Sequence, residues 1–259
     1  MTTLFDVMLA VARAVTEVVD GTATGGSTTT LIDTGRLHPD NYWNQGRVWM
    51  ISGNNASQSR LVSSYVNASG TWTTAAFPLA NAAGNQYAVS GAAYPKEALA
   101  QGVNMALMEM GKVTMEDLTS LTGVSDQVEY SLPAGVSNLR RVMTGTSPFY
   151  YVNQHWDEVN GKLHFASNFD PQDGDEIQLF YAGKHPAVAN DADVVNDLLP
   201  VERVVWGAAL YAMRQRQAVV GARDASLAGK IAEAVQRVEM LKAQYPTKVM
   251  NRDPKLAGW

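Results

Sequence analysis

The character of the amino-acid sequence changes near residue 21 and again near residue 93. Between Gly21 and Ala93, 27 residues are Ser, Thr, Asn or Gln, and only five are charged: Asp33, Arg36, Asp40, Arg47 and Arg60. Short runs of β-branched and aromatic residues alternate there with turns rich in Gly and Asn, which makes helices improbable. These runs occupy residues 47–51, 59–62, 65–66, 71–74 and 86–89. The pattern predicts a small β-barrel or sandwich of about sixty residues.

Helical spacing precedes this β segment. Apolar side chains recur at intervals of three and four from residue 4 to residue 19. Thr3 is suited to cap such a helix, and Gly21 is suited to end it. Residues 22–30 have no apolar period and are rich in Thr and Gly, which indicates a linker.

The spacing alternates again after the β segment. A helix is predicted from Pro95 to Gly111, and the capping pattern at 114–117 predicts a short helical turn. From residue 127 the period becomes two, and the Asp- and Gly-rich stretch 170–174 is predicted to join the last two strands as a hairpin turn. The predicted strands are 127–130, 139–143, 149–152, 162–165 and 176–181.

Two consecutive amphipathic helices are predicted near the C-terminus, over residues 201–220 and from Asp224 to Tyr245. Because Gly221 leaves only a short connection between them, they should form an antiparallel hairpin. Three upstream carboxylates are interpreted as caps at the start of the first helix: Asp191, Asp193 and Asp197.

These elements together predict an α+β fold. It contains a bundle formed by the C-terminal helical hairpin and the N-terminal helices, a small β-sandwich, and an inserted small β-barrel domain. The predicted divisions are an N-terminal helix and linker (1–26), the inserted barrel (27–93) and a core (94–259). The core comprises a helix, a β-sheet over 127–183, the helix pair over 201–245 and a tail over 246–259.

The sequence lacks the motifs of common catalytic and cofactor sites. With no Cys, it excludes disulfides, thiolate nucleophiles and iron–sulfur clusters. The four histidines are not spaced as metal-binding pairs, and no phosphate-binding loop or nucleophile elbow occurs. The carboxylates at 170–176 do not match a calcium loop and are better explained by a turn. We therefore predict no enzyme activity and no cofactor.

Two groups of aromatic residues have alternative interpretations. One contains Tyr42, Trp43, Trp49 and Trp72, and the other contains residues 149–151 and Trp156. Exposed aromatic side chains on a small β domain can stack on sugars or bases. Alternatively, a domain of this size needs large side chains to fill its core, and we favour that interpretation.

Charge is distributed unevenly along the chain. The net charge is −5, but residues 1–200 hold 10 basic and 20 acidic side chains, whereas residues 201–259 hold 10 basic and 5 acidic ones. Charged residues make up only 17% of the chain, and neutral polar ones are abundant. Such a surface suits contacts between subunits. No signal segment and no run of about 18 apolar residues occurs, which predicts a protein made in the cytosol, or built into something assembled there, and no membrane partner.

Several stretches of the chain follow one another in an order that is shared with a known family. In the C-terminal half they are 127–133, 139–142, Trp156 with 161–165, 174–185 and the helix pair 201–245; in the β segment they are 33–35, 39–43, 46–53 and 57–60. In this order of elements the C-terminal half resembles the head–tail connector, or adaptor, proteins of the virion neck of tailed bacteriophages, and the β segment is similar to a small domain that recurs in phage structural proteins. The inserted barrel is a departure from the shorter adaptors, which consist mainly of a helical bundle.

The resemblance implies a ring of subunits, usually twelve, docked beneath the portal around the channel through which DNA leaves the head. Its partners would be further copies of itself, the portal, and tail or other neck proteins, with DNA passing without specific binding, in a virion assembled in the host cytoplasm. We select basic and aromatic candidates for the portal interface from the tail and the first C-terminal helix: Lys248, Arg252, Lys255, Trp259, Arg214 and Arg216. The alternative function is a head-decoration or carbohydrate-binding module that uses the Trp-rich β domain.

Overall fold

The computed structural model describes residues 1–166, 168, 170–221, 224–247 and 249–253. Over these residues the chain has a mixed α/β fold with four α-helices and four sheets. It divides into two compact units. Unit 1 comprises Met1–Leu107 and Ala187–Tyr245, and unit 2 comprises Met108–Pro186 and Pro246–Trp259.

The helices and strands are numbered here in chain order. The helices are α1 (Leu4–Val15), α2 (Lys96–Glu109), α3 (Val201–Val220) and α4 (Ala225–Gln244). The strands are β1 (Thr2–Thr3), β2 (Val18–Thr22), β3 (Gly25–Gly26), β4 (Thr30–Ile32), β5 (Arg47–Met50), β6 (Gln58–Val66), β7 (Thr71–Thr74), β8 (Gln86–Ser90), β9 (Lys112–Thr122), β10 (Glu129–Ser131), β11 (Leu139–Thr146), β12 (Phe149–Asn153), β13 (Trp156–Val159), β14 (Lys162–Phe165), β15 (Glu176–Lys184) and β16 (Val194–Val195).

Unit 1 contains a seven-stranded antiparallel sheet in the order β2-β8-β5-β6-β7-β4-β3. The predicted strands of the β segment are confirmed, but the barrel expectation is wrong because the sheet does not close. Its last strand, β3, is two glycines long and pairs only with β4, so it gives no edge long enough to meet β2. Large side chains on one face, including Trp43, Tyr65 and Trp72, form a buried core.

The N-terminal helix is shorter than its apolar period predicts. Thr3 caps α1 as predicted, in a reciprocal arrangement with Asp6, but the helix ends at Val15. Val18 and Val19 belong instead to β2, which pairs with β8. Valine is favoured in strands. Pairing with β2 also satisfies backbone groups of β8 that would stay unpaired if α1 continued to Val19. The segment expected to be a linker therefore also contains β3 and the start of β4.

The other three helices agree with the sequence prediction, and they pack closely in unit 1. Gly221 separates α3 from α4, and the Asp224 side chain accepts a hydrogen bond from the Leu227 amide at 3.0 Å. Helices α2 and α3 approach each other at Gly102, where a Cβ atom would lie 2.7 Å from the Ala208 carbonyl oxygen. Only glycine permits that approach.

The carboxylates interpreted as caps for α3 have other roles. Pro200 is the N-cap of α3 and makes no side-chain cap bond. Asp193 accepts the backbone N–H groups of Ala189 and Asn190, and Asp197 accepts that of Thr2. The Asp191 carboxylate pairs with the Lys96 ammonium. The cap interpretation is therefore wrong, because all three carboxylates lie in the loop before α3 and bind groups other than the first amides of α3.

Unit 2 contains a four-stranded sheet in the order β12-β11-β15-β9 and a three-stranded sheet in the order β10-β14-β13. A buried cluster that includes Val142, Trp156, Leu163 and Ile177 contains side chains from both sheets.

Two sequence predictions for unit 2 are wrong. The residues predicted as a helical turn at 114–117 lie in β9, where they pair with β15. The capping pattern is not followed by apolar residues at helical spacing, so strand pairing determines the structure of this stretch. Strands β14 and β15 belong to different sheets, so 170–174 is not a hairpin turn between them.

Candidate interface surfaces

Three of the six candidates for a portal interface, Lys248, Lys255 and Trp259, lie outside the described residues. A fourth, Arg252, is engaged within unit 2. Its guanidinium donates to Asp157 Oδ1 at 3.1 Å and lies over the Trp156 ring at 4.8 Å from the ring centroid. Arg252 therefore holds the chain end against its own unit, a role that its position in the sequence did not reveal.

Neighbouring residues fasten the same stretch, which we call the strap and define as residues 249–253. The Met250 amide donates to Thr114 Oγ1 at 2.8 Å, and the Asp253 amide donates to the Arg140 carbonyl at 2.9 Å. The Asp253 carboxylate accepts two bonds from the Arg141 guanidinium, at 2.8 and 3.1 Å, and this hydrogen bonding raises the pKa of Arg141. The strap has no sequence period because it is held by individual polar contacts.

Arg214 and Arg216 differ although both lie on α3. The Arg216 guanidinium donates to the Ala93 carbonyl at 2.7 Å and lies over the Tyr94 ring at 5.1 Å from the ring centroid. Of the two guanidinium groups, that of Arg216 is engaged within unit 1 and half-buried, and that of Arg214 is exposed.

An apolar groove lies beside the C-terminal end of α3. It has a volume of about 390 Å³, and Arg216 is the charged residue in its lining. Val219 is 86% exposed at one wall. A smaller cavity shares Tyr94 and Arg216 with the groove and is also lined by Lys230. The apolar lining of the groove includes Ala92, Pro95, Ala98, Ala212, Val219 and Val220.

A second exposed apolar surface, which we call the β12 patch, consists of Phe149, Tyr151 and Val152. Phe149 is 69% exposed and Tyr151 is 70% exposed, on a strand at the edge of the four-stranded sheet. One acidic group borders the patch, because Asp170 lines the same shallow cavity as Tyr151. Tyr150, whose side chain projects from the opposite face of β12, donates to Glu176.

The remaining candidates for chemistry have structural partners. His164 lies 3.8 Å from Glu129, whose pKa is lowered by its hydrogen bond from Lys162. Asp170 and Asp175 accept backbone N–H groups in turns. The described residues contain no group of three or more His, Asp or Glu placed to bind a metal ion. Among the described helices, none is long and apolar enough to cross a membrane.

The tryptophans of the β segment are buried, as favoured above. Trp43, Trp49 and Trp72 are at most 1% exposed. Trp72 contacts Tyr65 and Tyr87 with ring centroids 4.9 and 5.3 Å apart, and Trp49 contacts Phe5 of α1 at 5.7 Å. The three tryptophans are core side chains and offer no face to a sugar or a base, whereas Tyr42 is 49% exposed and its hydroxyl donates to Glu17.

The arrangement is that of a protein with contact surfaces and no evident reaction centre among the described residues. The model of the SU10 adaptor protein family matches residues 73–250. Because the match covers more than half of the chain, the chain belongs to this family of phage structural adaptor proteins. The resemblance to phage head–tail adaptors is thereby confirmed. No curated protein matches the chain.

Proposed function

We propose that this chain is the head–tail adaptor of a virion neck, and that it forms a ring below the portal around the DNA exit channel. The observation that carries the proposal is the family match, because it includes α2, both sheets of unit 2 and the helix pair α3–α4. The ring, of twelve subunits, would join the portal to tail or further neck proteins. It would have no catalytic role, and it would assemble in the host cytoplasm.

The charge of the chain supports this role. The net charge of −5 is suited to a channel wall along which DNA slides without binding, because phosphate binding requires an excess of basic groups. The many Asn, Gln, Ser and Thr side chains suit wet contacts between copies. The buried tryptophans favour an adaptor over the alternative carbohydrate-binding module.

We propose that the tail beyond the strap makes the portal contact, with Lys255 and Trp259 as its charged and aromatic anchors. Arg252 is occupied by Asp157 and Trp156, so it would hold the strap, while exposed Arg214 would add to the contact. Basic groups that meet an acidic partner give fast, salt-sensitive association. Lys248 precedes the strap and would add to the contact, whereas Arg216 is engaged by Ala93 and Tyr94.

The test compares two truncations in a portal-binding assay followed by negative-stain microscopy. Ending the chain after Asp253 keeps the strap and removes the proposed anchors, whereas ending it after Pro246 removes both. We expect both truncations to fold and to lose portal attachment, and the full chain to form a ring on the portal. If the chain that ends at Asp253 occupies the portal normally, the contact does not lie in the tail. If the full chain forms no ring and does not bind the portal, the adaptor function is wrong.

We also propose that residues 27–93 are an insertion that the adaptor core does not require. The family match begins at residue 73, so most of the seven-stranded sheet precedes it. Because the sheet begins at Val18, the test removes residues 18–92 and replaces Phe5, which contacts Trp49, with Ser. A soluble, helical product supports an insertion. Aggregation of this variant, when the full chain with Phe5→Ser stays soluble, would show that the sheet is part of the main core.

A further inference from the structure

A ring closed by rotation needs two different, complementary surfaces on each subunit. The described residues contain two exposed apolar surfaces of different form. The β12 patch projects aromatic side chains, and the groove beside α3 is a recess of about 390 Å³ lined mainly by small apolar residues. We propose that the β12 patch of one copy binds in the α3 groove of a second copy. This inference rests on the proposed function and specifies its subunit contact.

The form of the two surfaces supports this pairing. Phe149 and Tyr151 alternate along β12, so both side chains project from the same face of the strand. The groove volume is large enough to accept an aromatic side chain. Val219 and Val220, exposed at the wall of the groove, would be covered by the incoming rings. Burying aromatic anchors in a preformed recess is the usual source of binding energy at an interface.

The local charges also match. The patch is bordered by Asp170, while Arg216 is the charged residue in the lining of the groove. The adjoining cavity contains Lys230 together with the carboxylates of Glu17 and Asp224. A carboxylate carried by a second copy would therefore meet its cation at Arg216, in the groove itself.

The edges of the four-stranded sheet favour β12 as the contact strand. At the opposite edge, β9 is interrupted by a register shift, where Asp117 Oδ1 accepts the amides of Thr119 and Ser120. A bulge of this kind blunts an edge strand against association. Strand β12 has no such shift and no charged residue, which are features of an edge that is covered in the assembled protein.

The test uses the full-length chain with two substitutions made separately, Tyr151→Ser in the patch and Val219→Glu in the groove. Each should raise the dissociation constant for assembly by about tenfold or more, measured by sedimentation velocity. Leu37→Glu, at an apolar position that is 79% exposed and does not line the groove, is the matched control and should assemble normally. Unchanged circular dichroism and melting temperature would confirm that each variant is folded.

Mixing the two monomeric variants gives the sharper result. The Tyr151→Ser chain keeps an intact groove and the Val219→Glu chain keeps an intact patch, so the mixture should form a heterodimer and nothing larger. Failure of the mixture to dimerise, or normal assembly of either variant alone, would overturn the contact while leaving the adaptor function intact. A full-length chain that stays monomeric both alone and with the portal would overturn the contact together with the ring.

Discussion

The aromatic residues of the seven-stranded sheet and those of β12 differ in their exposure to solvent. In the seven-stranded sheet, Trp72 lies between neighbouring rings and is 1% exposed, whereas on β12 of the four-stranded sheet Phe149 is 69% exposed. Strand β7 has a partner on both sides, and its inward face is covered by the rest of the core; β12 is an edge strand. Position within a sheet thus decides whether an aromatic residue stabilises the fold or remains available for contact.

The largest expected effect tests this contrast directly. Trp72→Ala should lower the free energy of unfolding by about 3 to 5 kcal/mol, because it leaves a cavity between Tyr65 and Tyr87. Phe149→Ser should change it little, since that ring already contacts water. Urea unfolding measures both variants. Equal losses would mean that Phe149 is covered in the monomer and that the contrast is wrong.

A matched pair of hydroxyl deletions should have the next largest effect. The Tyr87 hydroxyl donates to the nearly buried Asp33 carboxylate at 2.6 Å, and burial is the main cause that raises the pKa of Tyr87. Tyr87→Phe removes a donor from a carboxylate that water cannot easily reach, which should cost about 1 to 3 kcal/mol. Tyr151→Phe on the exposed strand should leave the unfolding midpoint unchanged. If Tyr87→Phe leaves the free energy of unfolding unchanged, the hydrogen bonds from Arg36 and from the Gly35 amide satisfy Asp33 without the Tyr87 hydroxyl.

The third prediction concerns the strap of unit 2. Asp253→Ala removes two hydrogen bonds to Arg141, and the expected loss of stability is about 1 kcal/mol because the pair is partly exposed to solvent. The more sensitive readout is limited proteolysis, in which chymotryptic cleavage after Met250 in the strap should become faster. Asp173→Ala, at an exposed turn carboxylate, is the control. An unchanged cleavage rate in Asp253→Ala would show that Met250 and Arg252 hold the strap without that ion pair.

The sequence predicted the elements better than their pairing. Hydrophobic period located α2, α3 and α4 and most of the strands, because those patterns are local. It extended α1 to Val19 and assigned 114–117 to a helical turn, because pairing with β8 and β15 involves residues distant in the chain. The sequence likewise could not show that the seven-stranded sheet stays open, because closure depends on whether its two edge strands can pair.

The sequence alone says less about the contact candidates than about the fold. Basic residues were selected as portal candidates from composition, but Arg216 and Arg252 have partners within the chain. No sequence signal distinguishes an engaged arginine from a free one, because the partner is brought close only by the tertiary fold. Phe149 and Tyr151 were noticed as aromatic, and their uncharged strand was the available signal for an exposed edge.

The smallest expected effect separates two surface carboxylates, one in each unit. Hydrogen bonds from the Ala189 and Asn190 amides lower the pKa of Asp193, and the hydrogen bond from Lys162 lowers the pKa of Glu129. A carboxylate whose pKa is lower in the folded state stabilises the protein above its unfolded pKa, and that contribution is lost as pH falls through the folded pKa. Both contributions should therefore be present at neutral pH and fade below about pH 4.

Salt distinguishes the two groups. The partner of Glu129 is the exposed ammonium of Lys162, so added salt should screen this pair, whereas the amides that bind Asp193 are fixed backbone donors held at 2.7 and 2.9 Å. Glu129→Gln should lower the melting temperature at neutral pH only at low ionic strength, and Asp193→Asn should lower it at low and high ionic strength alike. Melting curves at pH 7 and pH 3 in both salts measure this. Equal salt sensitivity of the two variants would show that the backbone amides act on Asp193 through long-range charge and not through short, directed hydrogen bonds.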